Sequence, residues 1–354
     1  MAKNYSNLSQ NIRSRLNPDN VILEKAFTDE LSSLSYSDVF TYIRLAMQGV
    51  DAEYTRKSKD AGENVKTHLG RELTDVEYKY QGSVMTNTHI KGHSDIDLLI
   101  ISSKFYRYDW SNVRKAIEDS QLRIEYPTSI RKLENEENVS KYEGNSNDDL
   151  KKLRLDSENI LSSKYIQCDT SHAKAIKIHN RNLHRDVDIV IANWYDDIKS
   201  IVNDKGIYRG VQIYDKHTQT VGSADYPFLS IDRINQRSSD TNGRFKKMIR
   251  FLKNVKADSE QDINLSSFDI NAICYDIPIS KYQYENTLQL VIILYNQLKS
   301  IANNKAHSDK IVSVDEKEDI FKYDQKKLDE LRKLLSEIEG ICADYLNVKS
   351  LNYR

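Results

Sequence analysis

The feature that most constrains the fold is an Asp-x-Asp pair at the start of a long apolar run. Asp95 and Asp97 flank Ile96, and the apolar residues 98–101 (LLII) follow without interruption. Successive side chains of a β-strand point to opposite faces, so the two carboxylates would share one face while Ile96 turns into the core. Carboxylates placed in this way can hold two divalent cations roughly 3.5–4 Å apart. The run therefore predicts a buried strand with a metal site at its beginning.

A Gly-Ser pair precedes this strand. Gly82 and Ser83 are followed by eleven residues and then by Asp95. Glycine lets the backbone approach a phosphate closely, and a serine hydroxyl together with the N–H groups of a helix start can bind a triphosphate tail. We expect Gln81, Gly82 and Ser83 to bind the donor nucleotide. Either motif alone also occurs in ordinary turns. A third carboxylate nearby would favour a metal site over such a turn.

A candidate third carboxylate is Asp188. Residues 173–178 (AKAIKI) and 187–193 (VDIVIAN) predict two short strands that are joined by a polar turn as a hairpin. Asp188 stands where the second strand becomes apolar, and a buried carboxylate without cations nearby would be unfavourable. Asp186 would share the same strand face and is the alternative. We favour Asp188, because its apolar neighbours place it deeper in the strand.

The string GSVMTNTHIKGHSDIDLLI resembles the signature of the cGAS/DncV-like nucleotidyltransferases, the bacterial relatives of cyclic GMP-AMP synthase and oligoadenylate synthase. The residues that match the signature are Gly82, Ser83, Thr88, Ile90, Asp95 and Asp97. Further similarity lies in residues 208–216, 226–235 and the basic segment 243–256, so the resemblance spans roughly residues 40 to 300.

The resemblance implies an α/β (α+β) fold: a polymerase-β-like mixed sheet with a long spine helix and a C-terminal helical lobe. It implies synthesis of a cyclic di- or trinucleotide second messenger from NTPs such as ATP and GTP, within an anti-phage (CBASS) signalling system. A separate effector protein would read the product. Asp95, Asp97 and Asp188 would be the catalytic residues and would hold two Mg²⁺ ions, with Mn²⁺ as a possible substitute.

Two further groups of residues are candidates for nucleotide binding. Residues 244–256 place six cations on one predicted helix, a pattern that solvated helix faces also show. We assign Lys253, which follows an apolar pair and matches the family's phosphate-contacting lysine, and also Lys247. Tyr214 on a predicted strand could stack on a purine, with ordinary packing as the alternative.

Composition limits the class of protein. A chain of 354 residues exceeds one typical domain, and we expect an N-terminal spine helix with a nucleotidyltransferase core (1–225) and a helical lobe (226–354). No segment approaches the ~20 apolar residues of a membrane helix. Three scattered cysteines favour a reducing cytoplasm, and we expect no signal peptide before MAKNYSNLSQ. The balance of 52 basic and 53 acidic residues indicates no obligatory nucleic-acid activator. A monomer without membrane contact is expected.

The sequence also predicts the remaining secondary-structure elements. Residues 1–17 should be loosely held, 20–80 helical with one long helix over 37–73, 122–130 a strand and 134–149 a loop. Helices should cover 148–164, the lobe from Pro227 and a terminal amphipathic segment, 315–346. Two other functions stay open: a template-independent RNA nucleotidyltransferase, which would use the same carboxylates, and a catalytically silent binding module of the same fold.

Overall fold

The computed structural model describes residues 3–16, 38–90 and 96–351, with side chains as far as residue 346. The chain forms two compact units, each built from separate stretches of sequence. The sheet unit comprises Arg56–Met85 and Asp95–Asp232, and the helical unit comprises Met1–Thr55, Thr86–Ser94 and Arg233–Arg354. The boundary near residue 226 stays a prediction, because these discontinuous units do not correspond to a single cut in the chain.

A mixed sheet forms the centre of the sheet unit, as the sequence predicts. In the described part of the chain its strands are β1 (Val76–Gln81), β2 (Ile96–Tyr108), β3 (Cys168–Asp169), β4 (Ala175–Asn180), β5 (Arg185–Asp196), β6 (Gly210–Asp215) and β7 (Thr220–Asp225). The strand order is β1-β2-β5-β4-β3, while β6 pairs with the second half of β5 and β7 pairs with β6. The β2–β5 pair is parallel and the other pairs are antiparallel.

The apolar runs of β2 and β5 explain their central position. Residues 98–101 of β2 and residues 189–192 of β5 are buried, which is the pattern of strands that are covered on both faces. One face packs against helices Ala52–Gly70 and Ser146–Lys164, and the other packs around Trp194.

The other helices are short connections in the sheet unit and a packed bundle in the helical unit. The former are Trp110–Glu118, Ser120–Glu125, Pro127–Glu137 and Ile198–Val202, with a 3₁₀ turn at Gly206–Tyr208. The latter are Tyr5–Leu16, Asp38–Met47, Arg244–Asp258, Ser267–Asp276, Thr287–Asn303, Lys305–Ser308 and Gln325–Leu351, with a 3₁₀ turn at Ile279–Lys281. Helix Pro227–Asp240 begins at the predicted start of the lobe. Across the described residues, no helix is both long enough and apolar enough to cross a membrane.

Three predicted elements are wrong. Residues 122–130 lie in two helices that meet at Tyr126. The Asp119 side chain accepts hydrogen bonds from the N–H groups of Gln121 and Leu122 at the start of Ser120–Glu125, and Pro127 opens the next helix. The predicted long helix over 37–73 is two helices, and Asp51 caps the second by accepting from the N–H of Glu53 and Tyr54. The end of the predicted helical segment 20–80 is also wrong, because residues 76–81 form strand β1.

Both termini differ from expectation as well. Residues 5–16 form a helix whose Tyr5 and Ile12 enter the core of the helical unit, so this segment is not loosely held. The terminal helix begins at Gln325 rather than at residue 315. The predicted loop 134–149 shrinks to residues 138–145, because one helix continues to Glu137 and the Asn145 side chain caps the next at Ser146.

Candidate active site

The register of the central strands brings together two of the predicted carboxylates. In the parallel β2–β5 pair, Asp97 stands directly opposite Asp188. Paired residues leave the sheet on the same face, and adjacent strands lie ~4.8 Å apart. The residues on either side of both aspartates are fully buried. A shift by one residue would turn the carboxylates towards the fully buried face, so burial favours this register.

The two aspartates belong to a row of polar residues that crosses the sheet. Gln81 of β1 pairs with Asp97, Lys177 of β4 pairs with Asp188, and Asp169 of β3 pairs with Lys177. We call these five residues the polar row. It places an amide, two carboxylates, an ammonium group and a third carboxylate side by side on one face.

The two carboxylate oxygens of Asp188 differ in their contacts. Oδ2 lies 3.0 Å from Nζ of Lys177. Oδ1 is buried and accepts no hydrogen bond from the part of the chain that the structure describes. A buried acceptor without a partner is costly, commonly by ~1–3 kcal/mol. Oδ1 is therefore suited to coordinate or accept a hydrogen bond from a bound ligand.

Asp186 lies on the same strand face but in a different environment. Its side chain is 57% exposed against 18% for Asp188, and Oδ1 is 2.6 Å from Nδ1 of His179. The predicted difference in depth is therefore confirmed. The role of Asp188 as third metal ligand stays a prediction.

Gly82 lies against the carboxylate of Asp97. Its φ is +84°, a conformation that favours glycine, and a Cβ atom here would lie 2.2 Å from Oδ2 of Asp97. A side chain at position 82 would therefore displace the carboxylate. The following residues 83–87 form turns rather than the helix start that we expected, and Ser83 is half-buried among them.

The first aspartate of the motif, Asp95, lies outside the described residues. Among the residues that are described, no group of three His, Cys, Asp or Glu side chains is arranged to hold a metal. The residues present nevertheless fit a hard divalent cation: Asp97 and Asp188 are opposed oxygen donors, and Asp188 keeps one buried oxygen unpaired.

An open cavity of about 510 Å³ adjoins Asp188. Its lining includes the row members Lys177 and Asp169, the His179–Asp186 pair, and residues 166–168. This volume is in the range of small-molecule sites, ~300–1,000 Å³. Sequence reasoning missed Lys177 and His179, although the four-residue turn of the hairpin fixes them opposite Asp188 and Asp186.

Lys253, the proposed phosphate ligand, is buried in helix Arg244–Asp258. Its Nζ donates to the carbonyl oxygen of Thr88 at 3.1 Å, and burial lowers the pKa of the ammonium group to about 8. Lys253 is therefore not part of a solvated helix face. Lys247 on the same helix is half-buried, and its role in phosphate binding stays a prediction.

Arg250 is a second buried cation, which the sequence analysis counted among the six cations of this helix without assigning it to the site. It donates to the carbonyl oxygens of Met47 and Asn87, and burial lowers its pKa to about 10. Together, Arg250 and Lys253 fix the backbone at residues 87–88, where the Thr-x-Ile part of the motif begins. No local pattern distinguishes Arg250 from the half-buried cations of the same helix.

Tyr214 does not support the predicted stacking on a purine. The side chain is almost fully buried and packs in a cluster that includes Leu150 and Ile176. A ring that is covered on both faces offers no surface to a base. The alternative of ordinary packing describes this tyrosine.

Comparison with known proteins defines the class to which this fold and site belong. Residues 232–342 match the model of the cGAS/DncV-like nucleotidyltransferase C-terminal helical domain. A c-di-GMP synthase of Capnocytophaga granulosa is 53% identical over 98% of this chain and 99% of its own. A c-di-GMP synthase of a Lachnospiraceae bacterium is 43% identical over 96% and 98% of the two chains. The chain therefore belongs to the cGAS/DncV-like nucleotidyltransferases.

Solved structures support the same family assignment. A STING-associated CdnE c-di-GMP synthase from Flavobacteriaceae sp. superposes with a TM-score of 0.87, at 41% identity over 97% of this chain and 99% of that one. The resemblance that we drew from the sequence is confirmed, as is the polymerase-β-like fold. The predicted function, synthesis of a cyclic nucleotide second messenger in anti-phage defence, is confirmed at the level of the class.

Proposed function

We propose that this protein is a Mg²⁺-dependent synthase that joins two GTP molecules into cyclic di-GMP. The observation that carries the proposal is the pairing of Asp97 with Asp188 across β2 and β5, in a chain 53% identical over nearly its whole length to a c-di-GMP synthase. The relatives' names support the choice of guanine, and the oxygen donors of the row support a hard cation.

The reaction consists of two nucleotidyl transfers. In each, a ribose hydroxyl of one nucleotide attacks the α-phosphorus of another, an O–P bond forms, the bond to the β-phosphate bridge breaks, and pyrophosphate leaves while the hydroxyl proton is lost. When bound, two Mg²⁺ ions would supply activation of the hydroxyl and neutralisation of the pyrophosphate. The linear intermediate then turns so that its other end reacts.

The residues of the sheet unit have separate tasks in this scheme. Asp97 and Asp188, with Asp95, would hold the cations. Gly82 permits the close approach of the backbone to Asp97, and the polar groups of Gln81 and Ser83 are proposed to contact the donor nucleotide.

Lys253 is proposed to bind the triphosphate. Its buried ammonium group is held by the Thr88 carbonyl oxygen, and in the described part of the chain no carboxylate neutralises it. A buried cation without a counter-ion attracts an anion strongly, because the surroundings screen its charge weakly.

The experiment that tests the proposal is mass spectrometry of the products from all four NTPs with Mg²⁺. We expect GTP to give cyclic di-GMP, with one pyrophosphate released for each phosphodiester bond that forms. A linear product without ring closure, or another cyclic product, would refute the assignment of this activity.

The matched negative control is the double variant Asp95→Ala/Asp97→Ala. It should make no product, while thermal stability in metal-free buffer stays unchanged or rises, because two like-charged carboxylates on one strand repel each other without cations. Full turnover by this variant would show that the metal site is placed wrongly.

The wider setting is part of the proposal. A separate effector is expected to read the product, as the STING association of similar synthases suggests. We expect a cytoplasmic monomer. An RNA-extending enzyme is disfavoured by the full-length similarity to cyclic dinucleotide synthases, and labelled GTP with RNA would detect it.

A further inference from the structure

Lys177 occupies an unusual place for a surface lysine. It stands opposite Asp188 in the β4–β5 register, and its Nζ lies 3.0 Å from Oδ2 of that carboxylate. An ordinary cross-strand ion pair would contribute only ~0.2–1 kcal/mol to stability. This one involves a residue that the proposed reaction uses as a metal ligand.

The two oxygens of Asp188 are divided between two tasks. Lys177 occupies Oδ2, while Oδ1 is buried and, among the described residues, unpaired. Groups that hold one atom of a ligating side chain orient its other atom towards the metal and tune metal affinity. In the proposed metal site, this arrangement would leave Oδ1 for the cation.

The ammonium charge has a second effect. A cation beside a carboxylate repels a divalent ion that approaches the same carboxylate, and solvent screens part of this repulsion because the Lys177 side chain is 42% exposed. The triphosphate brings negative charge that offsets the repulsion. The site should hence bind metal weakly when empty and strongly when nucleotide is present.

We propose that Lys177 is a positioning residue and built-in counter-cation of Asp188, which aims Oδ1 at the metal and makes metal binding depend on nucleotide. This inference rests on the proposed function and assigns a role to a residue next to its metal ligands. Lys177 touches no reacting atom in the proposal and acts through Asp188.

The test is a Mn²⁺ titration of metal-stripped full-length protein, with free Mn²⁺ measured by electron paramagnetic resonance. Without nucleotide, Lys177→Met and Lys177→Gln should bind Mn²⁺ at least tenfold more tightly than wild type, a difference of about 1.4 kcal/mol. Lys177→Arg keeps the charge and should stay within threefold. With a non-hydrolysable GTP analogue, the enhancement of Mn²⁺ affinity should be at least tenfold smaller in the Met and Gln variants.

The two neutral variants separate orientation from charge. Glutamine can still donate to Oδ2, so Lys177→Gln should keep more of kcat than Lys177→Met. Adding Asp188→Asn to Lys177→Met should remove the gain in Mn²⁺ affinity. If the Met variant fails to fold, the Gln variant alone tests the charge effect.

Lys104→Met is the matched control. The Lys104–Asp149 pair also lies in the sheet unit, has a separation of 3.2 Å, and leaves the side chains 41% and 21% exposed, against 42% and 18% for Lys177 and Asp188. This variant should leave Mn²⁺ affinity unchanged.

The outcomes separate this inference from the proposed function. If wild type makes the cyclic product but both neutral variants bind Mn²⁺ no more tightly than wild type, the pair is only structural and the inference is overturned. A wild type that neither binds Mn²⁺ nor makes product overturns the proposed function together with the inference.

Discussion

The burial of Lys253 predicts that this lysine destabilises the fold that contains it. The pKa falls from 10.5 to about 8, and the first cause is burial. At neutral pH the ammonium group stays protonated, and the difference in pKa corresponds to roughly 3 kcal/mol. Lys253→Met removes this penalty but loses the hydrogen bond to Thr88, worth ~1 kcal/mol. We therefore expect the variant to be more stable by roughly 2 kcal/mol at pH 7.

The stability gain of Lys253→Met should depend on pH in a characteristic way. Between pH 8 and 10.5 the unfolded chain keeps the proton on Lys253 more readily than the folded chain, so wild-type stability gains from rising pH in this window. The advantage of Lys253→Met should therefore be constant below pH 8 and shrink as pH approaches 10.5. Urea unfolding of both proteins between pH 7 and 10 measures this difference.

Lys256→Met provides the control on the same helix. Lys256 is half-buried and also donates to a backbone carbonyl, that of Leu265 at 2.6 Å, so its replacement should not stabilise the protein. In kinetics, Lys253→Met should raise KM for GTP at least as much as it lowers kcat, because the proposed phosphate contact exists before and during the reaction. A less stable Lys253→Met, or a stability gap that does not change with pH, would refute the reasoning.

The remaining predictions concern the metal site and regulation. Gly82→Ala should reduce the rate of product formation by at least ~10²-fold with the fold retained in circular dichroism, because the added Cβ would lie 2.2 Å from Oδ2 of Asp97; near-normal turnover would contradict this. Asp188→Asn should reduce the rate by at least ~10²-fold and Asp186→Asn much less, and equal losses would show that the third ligand is misplaced. Long duplex DNA at low salt should change the initial rate less than about threefold, and a large stimulation that disappears with salt would point to a nucleic-acid groove.

The carboxylate pair is the part of the site that sequence reasoning could reach. Asp97 and Asp188 each interrupt an apolar strand pattern, and a strand pattern fixes which residues share a face. The hairpin turn also fixed Lys177 opposite Asp188, but the polar composition of that strand gave no reason to examine it. Direct opposition across β2 and β5 depends on a pairing between distant segments, which no local pattern specifies.

Sequence reasoning did not reach other features, of which one depends on a local helix cap and the others on tertiary structure. Residues 122–130 contain Ile and Tyr in a strand-like order, and a side-chain cap at Asp119 decides for helix. Tyr214 is buried because helix Ser146–Lys164 covers the sheet beside it. Arg250 and Lys253 resemble the half-buried cations of the same helix in sequence, and only the packed bundle shows that they are buried.

The parallel pairing of β2 with β5 also determines when the protein can become active during synthesis. Asp97 and Asp188 are roughly 90 residues apart, and contacts of this separation form late in folding. At ~5–20 residues per second, β5 is completed about 5–20 s after β2. Throughout that interval β2, apolar on both faces, lacks the strand that pairs with it in the finished sheet. A nascent or truncated chain that ends before β5 therefore lacks Asp188 of the proposed metal site, and it cannot release a messenger before β5 has been made.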